Sequence, residues 1–141
     1  MTNQQNTGSC LCGKITFSVG EFMPVIGHCH CNMCQKFHGA AFSTFVEVNV
    51  KQLTWLSGKA NLSDYKAENK TVRTFCRCCG SSLLFESAYN RKAQTIEVAL
   101  AAFDDISEHQ AVTPDAHIYT ESKVPWLDIN DKLPQFIAYR K

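Results

Sequence analysis

The central run Cys29-His30-Cys31-Asn32-Met33-Cys34 places three thiols within six residues, and it constrains the chain more than any other feature. Cys29 and Cys31 fall on one face of an extended segment, because side chains alternate along a strand. Between Cys31 and Cys34 the chain has to turn to bring the sulfurs together, as in zinc-binding knuckles. Three sulfurs can then bind one metal at roughly 2.3 Å each and leave the open position typical of catalytic zinc. A closed structural site, with a fourth ligand from elsewhere in the chain, fits this run equally well.

Four further cysteines form two short-spaced pairs, each followed by a glycine. The pairs and their glycines are Cys10-x-Cys12-Gly13 and Cys76-x-x-Cys79-Gly80. A glycine there allows the positive φ with which the backbone turns away from a metal. Because two such pairs seldom arise together by chance, they predict a structural zinc site built from an early and a late pair.

Cys78 is the cysteine that neither set uses. Its neighbour Cys79 is assigned to the paired site, and adjacent side chains in extended backbone point in opposite directions. Cys78 is therefore able to reach the central run as a fourth ligand, although nothing in the spacing requires it. We expect a free thiol at this position.

A disulfide framework is the alternative explanation for the eight cysteines. Residues 1–7 are polar, however, and have neither the charged start nor the apolar core of a secretory signal. We therefore expect a cytoplasmic protein, in whose reducing surroundings clustered cysteines bind metal rather than pair with one another. No apolar run approaches the ~20 residues that span a bilayer, so we expect no membrane contact.

Length and charge limit the remaining possibilities. The 141 residues suit one domain, which we place at residues 8–141, with residues 1–7 as a mobile N-terminal tail. The 14 basic and 13 acidic residues give a net charge of +1, so no overall field attracts nucleic acid. The sequence makes no prediction of the oligomeric state.

Hydrophobic periodicity favours strands over helices. The segment 14–19 alternates with period two, and so does 42–48. Further short candidates, rich in β-branched or aromatic residues, are 62–67, 71–75, 82–86 and 95–100. Only short helical turns are expected, at 33–38 and near 104–107. The pattern predicts an all-β fold in which metal-binding loops staple short sheets together.

Several segments between residues 8 and 137 form a recognisable series. They are Gly8-Ser9-Cys10-Leu11-Cys12-Gly13, the central run with Lys36 and Gly39-Ala40-Ala41-Phe42, Phe75-Cys76-x-x-Cys79-Gly80, Pro114-x-Ala116-His117-Ile118, Ser122-Lys123-x-Pro125-Trp126 and Leu133-Pro134-Gln135-Phe136. In this order they resemble the glutathione-dependent formaldehyde-activating enzyme family, the GFA/CENP-V type. Gln35 departs from the series, since many relatives carry arginine there.

The resemblance implies an Mss4-like complex β fold of short antiparallel sheets, with two zinc ions per chain. By this resemblance the ligand sets are Cys10, Cys12, Cys76 and Cys79 for a structural zinc, and Cys29, Cys31 and Cys34 for a second, open zinc. It also implies the condensation of glutathione with formaldehyde to S-(hydroxymethyl)glutathione, the reaction of a carbon–sulfur lyase.

An open zinc with three thiolate ligands suits thiol chemistry better than hydrolysis. Three thiolates leave the Zn²⁺ site with a formal charge of −1, which weakens the metal as a Lewis acid and acidifies a bound water less. A coordinated thiol, by contrast, is deprotonated outright and can attack a small aldehyde. We therefore expect a small-molecule thiol as partner, with glutathione the leading candidate. The alternative is a non-catalytic, zinc-stabilised module that binds a protein partner.

Four polar or aromatic residues are candidates for substrate contacts. They are His30, Lys36, His117 and Trp126. His30 is suited to orient a ligand or to donate to a metal-bound sulfur, or else is an exposed loop histidine. Lys36 suits a glutathione carboxylate or plain solvent, and His117 suits a pocket wall. Trp126 suits either a pocket wall or an aromatic core anchor.

Overall fold

Two β-sheets form most of the structure, a computed structural model that describes residues 5–140. The strands are β1 (Asn6–Ser9), β2 (Thr16–Val19), β3 (Ile26–Cys29), β4 (Ser43–Asn49), β5 (Leu53–Ser57), β6 (Leu62–Lys66), β7 (Val72–Cys76), β8 (Ser82–Glu86), β9 (Thr95–Ala99), β10 (Phe103–Asp105) and β11 (Ala116–Ile118); the helices are α1 (Asn32–His38) and α2 (Ala88–Ala93). One sheet has the order β10-β1-β2-β5, and the other β11-β3-β4-β9-β8-β7-β6. Strands β11 and β3 pair in parallel, and the other strand pairs are antiparallel. The predicted all-β fold is confirmed.

Side chains from both sheets meet in one apolar core. Across β4 and β9, Val46 pairs with Val98 and Val48 pairs with Ile96, and all four are buried. Phe17 of β2, from the other sheet, belongs to the same cluster and is 1% exposed. Because side chains alternate along a strand, the alternate residues of β4 and β9 face the other way. That second face of the seven-stranded sheet is therefore available to line a site.

Helix α1 is fixed over the second face of the seven-stranded sheet. Its N-cap is Cys31, and it ends at Gly39, whose φ of 60° is favourable for glycine. The Ser82 hydroxyl of β8 donates to the Phe37 carbonyl over 3.1 Å. The Phe37 ring also meets the ring of Phe75 edge-on, with centroids 6.0 Å apart. These contacts hold the end of the helix against the sheet, and the start of the same helix carries two cysteines of the central run.

The periodic segments confirm six predicted strands, namely β2, β4, β6, β7, β8 and β9. The helical turn predicted at 33–38 is α1, whereas the turn predicted near 104–107 is wrong. Residues 103–105 form β10, because Asp105 pairs with Thr7 at the edge of the smaller sheet.

Within residues 5–140, no helix is both long enough and apolar enough to cross a membrane.

The predicted mobile tail, residues 1–7, overlaps a strand. Residues 1–4 lie outside the described part of the chain. Asn6 and Thr7 belong to β1, and Asn6 is 1% exposed. The Asn6 amide donates to the carbonyl of Gly20 over 2.7 Å, within the protein. This buried hydrogen bond and the strand pairing correct the tail prediction for Asn6 and Thr7.

Gly58, between β5 and β6, should tolerate substitution less well than Gly39. Both have positive φ, 74° at Gly58 and 60° at Gly39, so alanine strains the backbone at either position by about 1–2 kcal/mol. A Cβ at Gly58 would also overlap the carbonyl oxygen of Lys14 and lie 2.6 Å from its carbonyl carbon, whereas a Cβ at Gly39 meets no atom within 4 Å.

We therefore expect Gly58→Ala to lower the free energy of unfolding clearly more than Gly39→Ala, as measured by urea denaturation. Equal losses of unfolding free energy in the two variants would mean that the backbone at Lys14, just before β2, moves aside without cost.

Candidate metal centre

Four cysteines from the two sheets converge at one end of the molecule. This four-cysteine group consists of Cys10 and Cys12, in the turn after β1, and Cys76 and Cys79, at the turn after β7. Their sulfurs all lie within 4.8 Å of one another, with 3.6 Å between Cys10 and Cys12 and 3.9 Å between Cys12 and Cys76. The turn that carries each pair closes at a glycine, Gly13 and Gly80, both with φ of 80°.

The geometry of the four-cysteine group fits a tetrahedral zinc ion. Sulfurs that each lie about 2.3 Å from a tetrahedral zinc are about 3.8 Å apart, close to the spacing seen here. Backbone N–H groups also donate to the sulfurs, from Ile15 to Cys10 over 3.3 Å and from Cys78 to Cys76 over 3.4 Å. Such bonds stabilise thiolates. All four residues are free cysteines rather than disulfides.

Cys78 belongs to neither cysteine group. Its sulfur is exposed, lies 3.9 Å from Lys14 Nζ and contacts Asn61 Oδ1 at 3.6 Å. It follows Cys76 in the turn that serves the four-cysteine group, not the central run. This position agrees with the free thiol expected from the sequence and not with a fourth ligand for the central run.

The central run forms a three-cysteine group at the start of α1. Cys29 ends β3, Cys31 is the N-cap of α1 and Cys34 lies in its first turn. The backbone N–H of Cys34 donates to Cys31 Sγ over 3.4 Å, which closes the turn between them. The three sulfurs lie within 4.8 Å of one another, and the group includes no fourth His, Cys, Asp or Glu ligand among the described residues. Three converging thiolates are soft ligands that favour zinc over hard cations.

The three thiols of this group do not ionise equally. The hydrogen bond with Cys31 is the main factor that raises the pKa of Cys29. The hydrogen bonds from Cys29, and then from Cys34, lower the pKa of Cys31. Each thiolate thus opposes the ionisation of its neighbours, and the positive charge of a bound metal would favour the thiolate form of all three.

Arg73 is a buried cation beside the three-cysteine group, and sequence analysis missed it. Its Nη1 donates to Cys34 Sγ over 3.5 Å, and the residue is 3% exposed. The guanidinium stacks over the rings of Phe85 and Phe37, at 4.8 and 5.5 Å from their centroids. A positive charge here offsets the formal negative charge of a zinc ion with three thiolates. The only feature of the sequence that could have indicated this role is the position of an arginine in the middle of a predicted strand.

A cavity of about 500 Å³ opens beside the three-cysteine group. It lies on the second face of the seven-stranded sheet, under α1 and the C-terminal segment. Its wall includes aromatic, hydroxyl and charged side chains besides the three cysteines. The lining residues are Cys29, Cys31, Met33, Cys34, Phe45, Asn69, Thr71, Arg73, Phe85, Ser87, Tyr89, Glu97, Ile118, Tyr119 and Tyr139. The volume suits a small-molecule ligand.

His30 and His117, two predicted contact residues, hydrogen-bond to each other and do not line the cavity. His30 Nε2 lies 2.8 Å from His117 Nδ1, and His117 Nε2 lies 2.9 Å from Asp131 Oδ2. His30 is fully buried, so the exposed-loop alternative is wrong. The burial of His30, and then the nearby His117, lower the pKa of His30 to about 4. The backbone N–H of His30 also donates to the Ile118 carbonyl over 3.0 Å, which ties the central run to the end of β11.

Lys36 and Trp126, the other two predicted contact residues, are exposed and lie outside the cavity wall. Trp126 is 73% exposed, which rules out the core-anchor alternative. Gln35, the residue that departs from the family-like series, has a structural contact. Its amide donates to the His30 carbonyl over 2.6 Å and to the Ser122 carbonyl over 2.8 Å. Gln35 thereby joins α1 to the central run and to the C-terminal part of the chain.

Comparisons with known proteins agree with this geometry. The sequence profile of the family described as "Glutathione-dependent formaldehyde-activating enzyme" matches residues 5–122, which include both cysteine groups. An uncharacterized lyase of Schizosaccharomyces pombe is 26% identical over 129 residues, or 92% of this chain and 88% of that protein. The crystal structure of a Rhodobacter sphaeroides protein aligns with a TM-score of 0.60 and 22% identity, over 72% of this chain and 91% of that chain. This last similarity concerns the fold alone.

Cys79→Ser should disrupt folding, whereas Cys78→Ser, the same chemical change one residue earlier, should not. A structural zinc contributes on the order of 10 kcal/mol, which is comparable with the net stability of a whole domain. We expect Cys79→Ser to lose metal and to be insoluble or partly unfolded, and Cys78→Ser to keep the metal content and melting temperature of the wild type. Elemental analysis and circular dichroism measure both. A Cys79→Ser protein that melts like the wild type would contradict the assignment.

Cys31→Ser should remove metal from the three-cysteine group alone. We expect the metal content to fall by half while the far-ultraviolet circular dichroism spectrum stays that of a folded protein, because an open site tolerates vacancy better than a closed one. The measurement is metal per chain alongside the spectrum. Global unfolding with loss of all metal would show that the two groups do not differ in role.

Proposed function

The chain belongs to the glutathione-dependent formaldehyde-activating enzyme family, and on this premise we propose that it is a zinc-dependent carbon–sulfur lyase. The proposed reaction joins a thiol to a small aldehyde, with glutathione and formaldehyde as the leading pair. One observation carries the proposal: three converging cysteines, with no fourth protein ligand among the described residues, line a cavity of about 500 Å³. A flat or closed site would favour the alternative, a zinc-stabilised module that binds a protein partner.

We assign two zinc ions to each chain, one to each cysteine group. The four-cysteine group has the ligand number of a closed structural site, and the three-cysteine group has that of an open site. When bound to the three-cysteine group, zinc would supply an open coordination position at which a substrate thiol loses its proton.

The protein groups around the cavity are suited to this chemistry. In the forward reaction the thiol sulfur bonds to the aldehyde carbon and the thiol proton ends on the aldehyde oxygen; the reverse reaction breaks the carbon–sulfur bond. Arg73 lies against Cys34 and balances negative charge at the reacting end of the cavity. The apolar wall beside it, formed by Phe45, Phe85 and Ile118, keeps water away from the reactants.

Substrate roles for His30, Lys36, His117 and Trp126 remain predictions. For His30 and His117 we propose an indirect role, in which their mutual hydrogen bond holds the central run in position. Lys36 and Trp126 lie on the exposed surface and would contact only a part of the substrate that extends from the cavity. The proposed location is the cytoplasm, which maintains a glutathione pool.

Cobalt substitution tests thiol binding directly. We expect glutathione, added to the cobalt-loaded protein, to intensify the sulfur-to-metal charge-transfer band, because the thiol becomes the fourth ligand of the three-cysteine group. S-methylglutathione, which has no free thiol, is the matched control and should leave the band unchanged. A spectrum that already reports two sites with four sulfurs each, and that glutathione does not alter, would favour the binding-module alternative.

The aldehyde is tested separately, by the rate at which glutathione and formaldehyde form their adduct. We expect the zinc-loaded protein to accelerate the reaction, and Cys31→Ser to lose the acceleration. Glutathione binding without acceleration would leave a thiol-binding site and refute formaldehyde as the second substrate.

A further inference from the structure

Two glutamates face each other on the cavity side of the seven-stranded sheet. Glu47 of β4 and Glu97 of β9 are directly paired in the antiparallel register. Glu97 lines the cavity, and Glu47 lies beside it at 2% exposure. Side chains at directly paired positions are about 5 Å apart at Cβ, and like charges there repel. The sheet thus holds two carboxyl groups together where water is scarce.

No cation of the described chain pairs with these carboxyl groups. The ion pairs among residues 5–140 do not include Glu47 or Glu97. The nearest guanidinium groups are engaged elsewhere, since Arg73 donates to Cys34 and Arg140 makes two 2.9 Å bonds to Asp115. Burial, and then repulsion from Glu47, raise the pKa of Glu97 to about 7. A bound cation would stabilise this buried, unpaired carboxylate more than it would stabilise an exposed one.

Unsatisfied polar atoms at the two ends of the row that runs from Glu47 to Arg73 indicate that the cavity is built for a ligand with charged groups. Glu47 Oε2 is buried and has no hydrogen-bond partner in the described chain. The same is true of Nε of Arg73, which lines the cavity at 3% exposure. Buried polar atoms are rarely left without partners, and those that are require an explanation. A ligand that carries both a positive and a negative group would supply a partner for the glutamate oxygen and one for the arginine nitrogen.

The distance from the three-cysteine group to the acidic pair is similar to the distance from the sulfur to the ammonium group of a γ-glutamyl thiol. Cys29 pairs with Ser43, which precedes Glu47 by four positions on β4, or about 13 Å at the rise of a strand. In glutathione the α-ammonium of the γ-glutamyl residue is about 10 Å from the sulfur when the chain is extended, at ordinary bond lengths. The reach of the glutamate side chain covers the remaining distance. A thiol held at the three-cysteine group can therefore present an ammonium group to Glu97.

Resting on the proposed thiol chemistry, we propose that Glu97, supported by Glu47, binds the ammonium group of the substrate. The pair selects thiols that carry a free amino group remote from sulfur, such as γ-glutamyl peptides. Tyr89 borders the same subsite: it lines the cavity, and the Glu47 carboxylate raises its pKa. The subsite thereby narrows the substrate class of the proposed lyase.

The test compares glutathione with N-glutaryl-cysteinylglycine, which is the same molecule without the amino group. Isothermal titration calorimetry on the zinc-loaded wild-type protein should show tighter binding of glutathione, on the order of tenfold, the usual effect of a hydrogen bond to a charged group. Glu97→Gln should remove this preference by weakening glutathione alone. Glu108→Gln is the matched control, because Glu108 is 87% exposed and lies outside the cavity wall, and it should keep the preference.

Each result decides the proposal. Equal binding of the two thiols by the wild type overturns the ammonium subsite but leaves the proposed function intact, and this comparison requires no variant. A preference that survives Glu97→Gln also overturns the assignment, provided that the variant is folded. We expect Glu97→Gln to melt at or above the wild-type temperature, because the neutral amide removes repulsion from Glu47. If neither thiol binds to the wild type, the subsite and the proposed thiol chemistry fail together.

Discussion

The convergence of four sulfurs is the constraint on which the rest of the structure depends. Cys10 and Cys12 lie in the hairpin that joins β1 to β2, in the smaller sheet, whereas Cys76 and Cys79 lie in the hairpin that joins β7 to β8, in the larger one. A metal bound here would tie the two sheets together at one end. The apolar core between the sheets then sets which face of the larger sheet is covered and which is left for chemistry.

Because side chains alternate along its strands, the larger sheet has one face that packs in the apolar core and another that lines the cavity. Val46 and Val98 point into the core, while Glu47 and Glu97, the next residue on β4 and the preceding one on β9, point to the cavity face. The register continues from Glu97 to Phe85 and then to Arg73, so a single row across four strands carries both charge signs. Burying a charged side chain lowers the stability of a fold, and ligand-binding sites are places where proteins retain such residues.

Local patterns in the sequence were enough to predict the sulfur groups and six of the eleven strands, because both depend on short spacings. Strand β3 was not predicted, since Ile26-Gly27-His28-Cys29 has no alternation and is ordered by β4 and by the parallel strand β11. The cavity could not be predicted from local patterns either, for a related reason. Arg73 and Glu97 reach the cavity beside the central run only through strand pairing and helix packing between distant parts of the chain. Likewise, the contact of His30 with His117 depends on the pairing of β11 with β3.

Many of the side chains that shape the cavity come from elements that carry none of the clustered cysteines. Glu97, Tyr119 and Tyr139 belong to β9 and to segments that follow it, whereas the seven clustered cysteines all lie between residues 10 and 79. A substitution in the later half of the chain can therefore reshape the pocket without touching a sulfur ligand. For evolution this means that the cysteine groups can be retained while selectivity for new ligands arises from point mutations.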